Sequence, residues 1–119
     1  MRGNPPDLDF APIRARPCPT SGPTILASRS HLDEETKAFI AGHENCTTAQ
    51  AGSSLKFCRV AEGAADLYPR FGRTMEWDTA AGHAVLLAAG GSLTKPDGTA
   101  FTYGKAGFEN GPFVAKGAA

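Results

Sequence analysis

Met75-Glu76-Trp77-Asp78-Thr79-Ala80-Ala81-Gly82 puts a carboxylate where a helix begins and follows it with three residues too small to shield it. An aspartate at a helix start accepts backbone N–H bonds and stays ionised, so its simplest role is a cap. The small residues of the next turn let this helix pack closely on a neighbour, or let a ligand approach Asp78. The pattern predicts a helix over 78–89, running from Asp78 through Val85 and Leu86 to a stop at Gly90-Gly91.

The flanking stretches supply the other elements. Downstream, Lys95-Pro96-Asp97-Gly98-Thr99 is a hairpin turn signal between short strand-like runs, and Phe113-Val114-Ala115 reads as a last strand. Upstream, Ala65-Asp66-Leu67-Tyr68 alternates like a strand that breaks at Pro69. A helix is expected from near Ser53 to Gly63, preceded by a polar stretch containing Thr47 and Thr48. Asp33, with Glu34 and Glu35 in the first turn and Gly42 as a stop, predicts another helix over 33–41. Thr24-Ile25-Leu26-Ala27-Ser28 suits a buried strand. Six of the nine prolines fall in the first 23 residues, so that stretch reads as an irregular or extended lead-in. The expectation is a lead-in over 1–23 and an α/β layered domain over 24–119, with a mixed sheet flanked by helices.

Composition narrows the functional classes. Twelve basic and twelve acidic side chains cancel, which argues against duplex nucleic acid as a partner and makes any anion binding local. The three cysteines Cys18, Cys46 and Cys58 have neither the number nor the spacing of a disulfide framework or zinc knuckle. No apolar run approaches the roughly 20 residues of a membrane span, and the first residues lack the apolar run of a signal peptide. A soluble intracellular protein is expected.

Gly52-Ser53-Ser54-Leu55-Lys56 is the second informative site. Serines capping a helix leave free N–H groups pointing outward, which suits an anion. Lys56 in the first turn opposes the helix dipole unless an anion sits nearby; the plain alternative is a solvated surface lysine. Arg29 and His31 follow a strand, where ligands collect in open α/β sheets, and Arg70 is a third candidate cation. Arg59 and Arg73 read as solvated charges. His43, Glu44 and Cys46 fit no metal-ligand spacing and Gly90-Gly91 is a helix terminus; Glu76, two residues from Asp78, has the spacing to share a metal but reads rather as an exposed loop carboxylate. There is no nucleophile elbow, dinucleotide fingerprint or P-loop.

Trp77-Asp78-Thr79-Ala80-Ala81-Gly82 resembles the second signature of the inositol monophosphatase superfamily of metal-dependent phosphatases. More narrowly, Ala27-Ser28-Arg29-Ser30-His31, Gly52-Ser53-Ser54-Leu55-Lys56-Phe57-Cys58, Val60-Ala61-Glu62-Gly63 and Asp66-Leu67-Tyr68-Pro69-Arg70 resemble the CysQ-type 3'(2'),5'-bisphosphate nucleotidases. The match runs in order from about Ile13 to Ala115. The resemblance implies a magnesium-dependent phosphatase that removes the 3'-phosphate of 3'-phosphoadenosine 5'-phosphate in sulfate assimilation. It implies Asp78 as a catalytic metal ligand, and His31, Ser53, Lys56 and Arg70, with Arg29 assisting, as substrate contacts. Further expectations are a cytoplasmic location, peripheral association with the inner membrane, and a homodimer.

One departure qualifies the resemblance. The family carries, upstream of the Trp-Asp signature, a Glu and an Asp-Pro-Ile/Leu-Asp-Gly-Thr motif that supply most metal ligands. Pro96-Asp97-Gly98-Thr99 mimics that motif's tail, but Thr94 stands where its first Asp belongs and the stretch lies downstream. The chain thus resembles the C-terminal α/β half of the fold, and is expected to need the N-terminal half or a complementing chain. One carboxylate does not satisfy ions that each take about six oxygens, so the chain alone is expected to hold magnesium poorly and to be inactive. A non-catalytic nucleotide- or phosphate-binding module, and an inositol-phosphate specificity, are the alternatives.

Overall fold

The computed structural model describes residues 12–27, 33–50 and 55–118. In chain order the elements are β1 (Thr24–Leu26), α1 (Glu34–Ala41), β2 (Thr47–Ala49), α2 (Leu55–Ala61), β3 (Leu67–Arg70), β4 (Thr74–Met75), α3 (Glu76–Ala88) and β5 (Ser92–Thr94). A 3₁₀ turn (Ala106–Phe108), β6 (Glu109–Asn110) and β7 (Phe113–Lys116) complete the chain. Five strands form one mixed sheet in the order β2-β1-β3-β7-β5, and β4 pairs with β6 apart from it. β1 runs parallel to β2 and β3, while β7 runs antiparallel to both β3 and β5. The β1–α1–β2 and β2–α2–β3 connections move in opposite directions across the sheet. Right-handed crossovers therefore put α1 and α2 on opposite faces.

Local chemistry explains most boundaries. Asp33 caps α1 by accepting the Thr36 N–H at 2.7 Å, and Thr36, through its hydroxyl first and this N–H second, holds the carboxyl below the usual range. Helix α3 ends where Gly90 takes φ +95°, a left-handed conformation that glycine adopts without strain. The Asp97 carboxylate closes the predicted turn by accepting the Thr99 N–H at 3.0 Å.

Three expectations are corrected. Thr47 and Thr48 belong to an edge strand; β-branched threonines suit a pleated surface, and an exposed edge does not need apolar alternation. The strand expected to break at Pro69 continues to Arg70. Among the described residues β1 pairs with β3 at Leu67 and Pro69 pairs with Val114 of β7 alone, so the strand tolerates a missing donor there. Helix α3 starts at Glu76 rather than Asp78, because Asp78 reaches back from the first turn: the Met75 N–H donates to its Oδ2 at 2.8 Å. The expected start of α2 at Ser53 and the end of β1 at Ser28 lie outside the described residues.

The core joins sheet to helices through Phe57, Tyr68 and Phe113, whose ring centroids lie 5.3–5.7 Å apart, with Val60 and Leu86 fully buried beside them. Gly82 lets α3 lie against α2. A Cβ there would sit 2.6 Å from the Phe57 ring, so the small residue after Asp78 serves close helix packing. The lead-in is tied to the sheet by Arg16, whose Nε and Nη2 donate to the two Asp66 carboxylate oxygens at 2.9 and 3.0 Å.

Candidate active site

The parallel strands β1 and β3 bring their carboxyl ends to one edge, the usual ligand-binding edge of an open sheet. Arg70 is the last residue of β3, and Lys56 sits in the first turn of α2. Between them stands Tyr68, 4% exposed, its ring face 5.4 Å from the Lys56 ammonium. Arg70 lies close enough to disfavour charge on Lys56 and to favour the phenolate of Tyr68. Asp78 lies on the same side. It shares with Tyr68, Phe57, Trp77 and Thr79 a cavity of about 200 Å³.

The electrostatics are dominated by two neighbouring cations. Lys56 is 3% exposed, and among the described residues its Nζ has no carboxylate or hydrogen-bonding partner. Burial first, and the neighbouring Arg70 second, hold its pKa below the usual lysine value. A buried ammonium beside a guanidinium is costly unless an anion joins them. Burial also raises the Tyr68 hydroxyl, and the Asp78 carboxylate pushes in the same direction.

The turn that carries Asp78 is held by residues distant in sequence. Glu76, expected in an exposed loop, is the first residue of α3 and is buried. Its Oε1 accepts the Gly104 N–H at 2.9 Å, and its Oε2 accepts the Lys105 N–H at 3.1 Å and the Lys105 Nζ at 2.6 Å. The Lys105 side-chain bond, reinforced by the two backbone donors, keeps the Glu76 carboxyl below its usual range. Asn110 Nδ2 donates to Met75 O at 3.0 Å and to Thr79 Oγ1 at 3.2 Å, and the Tyr103 hydroxyl donates to Thr79 Oγ1 at 3.3 Å. The stretch 103–110 therefore fixes the turn that carries Asp78.

The structure brings together three of the predicted site residues, Lys56, Arg70 and Asp78. Arg29, His31 and Ser53 lie outside the described residues. Tyr68 and the Glu76–Lys105 pair were missed. The first was hidden in an ordinary strand alternation, and the second joins residues 29 apart in sequence. Among the described residues no three His, Cys, Asp or Glu side chains are grouped to hold a metal. One oxygen of Asp78 already accepts a backbone N–H, and both oxygens of Glu76 are engaged by Gly104 and Lys105. These residues do not fit a magnesium cluster by themselves.

The model of the inositol monophosphatase family matches residues 3–117. The chain belongs to this family. CysQ of Escherichia coli K12, a 3'(2'),5'-bisphosphate nucleotidase, is 52% identical over 81 residues, which is 68% of this chain and 33% of that protein. A Rhizobium leguminosarum bv. phaseoli protein of the pss 5' region is 57% identical over 86 residues, 67% of this chain and 90% of its own length. The crystal structure of CysQ from Bacteroides thetaiotaomicron superposes with a TM-score of 0.74 at 40% identity, covering 94% of this chain and 40% of that one. The inositol monophosphatase fold and the five-stranded mixed sheet agree with the expected α/β class. The chain spans about a third of the length of the curated CysQ relatives it matches. No helix of the described residues is long and apolar enough to cross a membrane, and nothing in the fold supports the expected association with the inner membrane.

Proposed function

We propose that this chain is the substrate-binding part of a CysQ-like 3'(2'),5'-bisphosphate nucleotidase, acting on adenosine 3',5'-bisphosphate in sulfate assimilation. The observation that carries the reading is Lys56, buried beside Arg70 without an anionic partner among the described residues. Two cations so placed receive a phosphate group, with Arg70 offering the forked donor set that fits its oxygens. Arg29, His31 and Ser53 are assigned to the same nucleotide by their motifs. Domain limits of 1–23 for the lead-in and 24–119 for the α/β unit belong to this reading.

Asp78 would serve as one magnesium ligand of the complete enzyme. It shares a cavity with Tyr68, whose ring also meets Lys56, and its turn is held by Glu76, Lys105 and Asn110. The remaining ligands lie outside the residues described, so the chain alone is inactive and turnover needs the N-terminal portion of the fold. The similarity to named nucleotidases favours this over a module that only binds phosphate. Calorimetric titration of adenosine 3',5'-bisphosphate into the purified chain tests the pocket. Saturable binding that Lys56→Met weakens at least tenfold supports it, and binding equal in wild type and variant refutes it.

A further inference from the structure

β3 ends on Tyr68-Pro69-Arg70, three residues with different tasks. A proline restricts the residue before it to extended backbone, so Tyr68 is held in strand conformation. Two positions apart on a strand, Tyr68 and Arg70 project from the same face of the sheet. That is the face α2 covers, because Tyr68 meets Phe57 there. Across the register from Tyr68 stands Ala115 of β7, small enough to leave room for the ring. Phe57 and Phe113 then hold that ring edge to face, with centroids at 5.3 and 5.5 Å.

Packing alone would be served by a phenylalanine, and a buried hydroxyl needs a polar partner. Each part of the Tyr68 ring has a charged neighbour instead of a purely apolar one. Its face lies 5.4 Å from the Lys56 ammonium. Its hydroxyl is within hydrogen-bonding reach of the Arg70 guanidinium. Its remaining border opens on the cavity that Asp78 lines. Left free, two long cationic side chains would repel and keep many rotamers. Seated on one locked ring, they lose that freedom before an anion arrives, which lowers the cost of binding it.

We propose that Tyr68 is the positioning residue of the anion site: its ring face seats Lys56 and its hydroxyl aims Arg70, so that both cations converge on one phosphate group. The proposal rests on the nucleotidase reading for that phosphate. Tyr68 acts through the two cations and touches no reacting atom.

The test is calorimetric titration of adenosine 3',5'-bisphosphate into the full chain, arranged as double-mutant cycles, with folding of each variant checked by circular dichroism. Tyr68→Phe keeps the ring between Phe57 and Phe113 and removes the hydroxyl alone. It should weaken binding about fivefold or more in the wild-type and Lys56→Met backgrounds, and less than about twofold once Arg70→Met has removed the group it aims. Tyr68→Leu removes the ring face as well, and its additional loss should vanish in the Lys56→Met background. If Tyr68→Leu does not fold, the Tyr68→Phe cycle decides alone. A hydroxyl that only supports the fold would cost the same in every background. Equal losses in all three backgrounds, or no loss from Tyr68→Phe in the wild-type background, overturn the proposal. They leave the nucleotidase reading in place as long as Lys56→Met and Arg70→Met weaken binding. A wild-type chain that does not bind the nucleotide removes that reading and the proposal with it.

Discussion

Lys56→Met separates a functional cation from a structural one. The lysine stem is packed and 3% exposed, and methionine keeps most of that apolar contact. What is removed is a partly solvated ammonium whose charge burial and the neighbouring Arg70 both disfavour. The Tyr68 ring at 5.4 Å returns about 0.5–2 kcal/mol, and Arg70 adds repulsion. The balance is mildly unfavourable, so the ligand-free variant should be more stable by up to about 1 kcal/mol once solvent screening of the ammonium is counted. For a chain of this size that raises the thermal midpoint by about 3–6 °C per kcal/mol. The pH dependence follows from the depressed pKa. Between the folded value and the unfolded value near about 10.4, the unfolded chain binds the extra proton. Wild-type stability therefore rises with pH through that alkaline window, and the variant lacks the rise. Adenosine 3',5'-bisphosphate should reverse the ranking, because loss of a charge-assisted bond weakens binding about tenfold to a hundredfold. Thermal melts followed by circular dichroism, with and without the nucleotide, read all three effects. A variant that melts lower than wild type without ligand and gains equally from nucleotide would refute the reasoning.

Two further perturbations probe the scaffold. Gly82→Ala, normally stabilising in a helix, should here destabilise by about 1–3 kcal/mol, since the new Cβ meets the Phe57 ring near its root; a raised melting temperature would contradict the packing. Glu76 has a lowered carboxyl pKa, so its contribution is present above about pH 4.3 and lost as pH falls through the folded value. Glu76→Gln should flatten the acid side of the stability profile and speed amide exchange at Gly104 and Lys105, and superimposable profiles would sink that account.

The legible elements are those whose signals are local. Asp33 with two following glutamates and Gly42, the glycine pair after α3, and the Asp97 turn each fix a boundary by contacts within a few residues. The apolar runs at Ile25-Leu26 and Phe113-Val114-Ala115 are buried strands, as their composition implies. The insertion of β7 antiparallel between β3 and β5 depends on tertiary packing that a three-residue apolar run does not encode. The threonines of β2 carry no alternation because an edge strand need not bury a face. Glu76 read as exposed because its partners come from 28 and 29 residues away. At Lys56 the helix dipole showed only that the position is awkward; its burial beside Arg70 depends on tertiary packing that the sequence does not spell out.

Phosphate release from adenosine 3',5'-bisphosphate, in magnesium, tests the central claim most directly. The chain is measured alone and then with the unmatched two thirds of Escherichia coli CysQ. The account predicts no release above background from the chain alone, and release from the reconstituted pair that Asp78→Asn abolishes. Turnover by the chain alone, or a stable complex in which Asp78→Asn changes nothing, would contradict it.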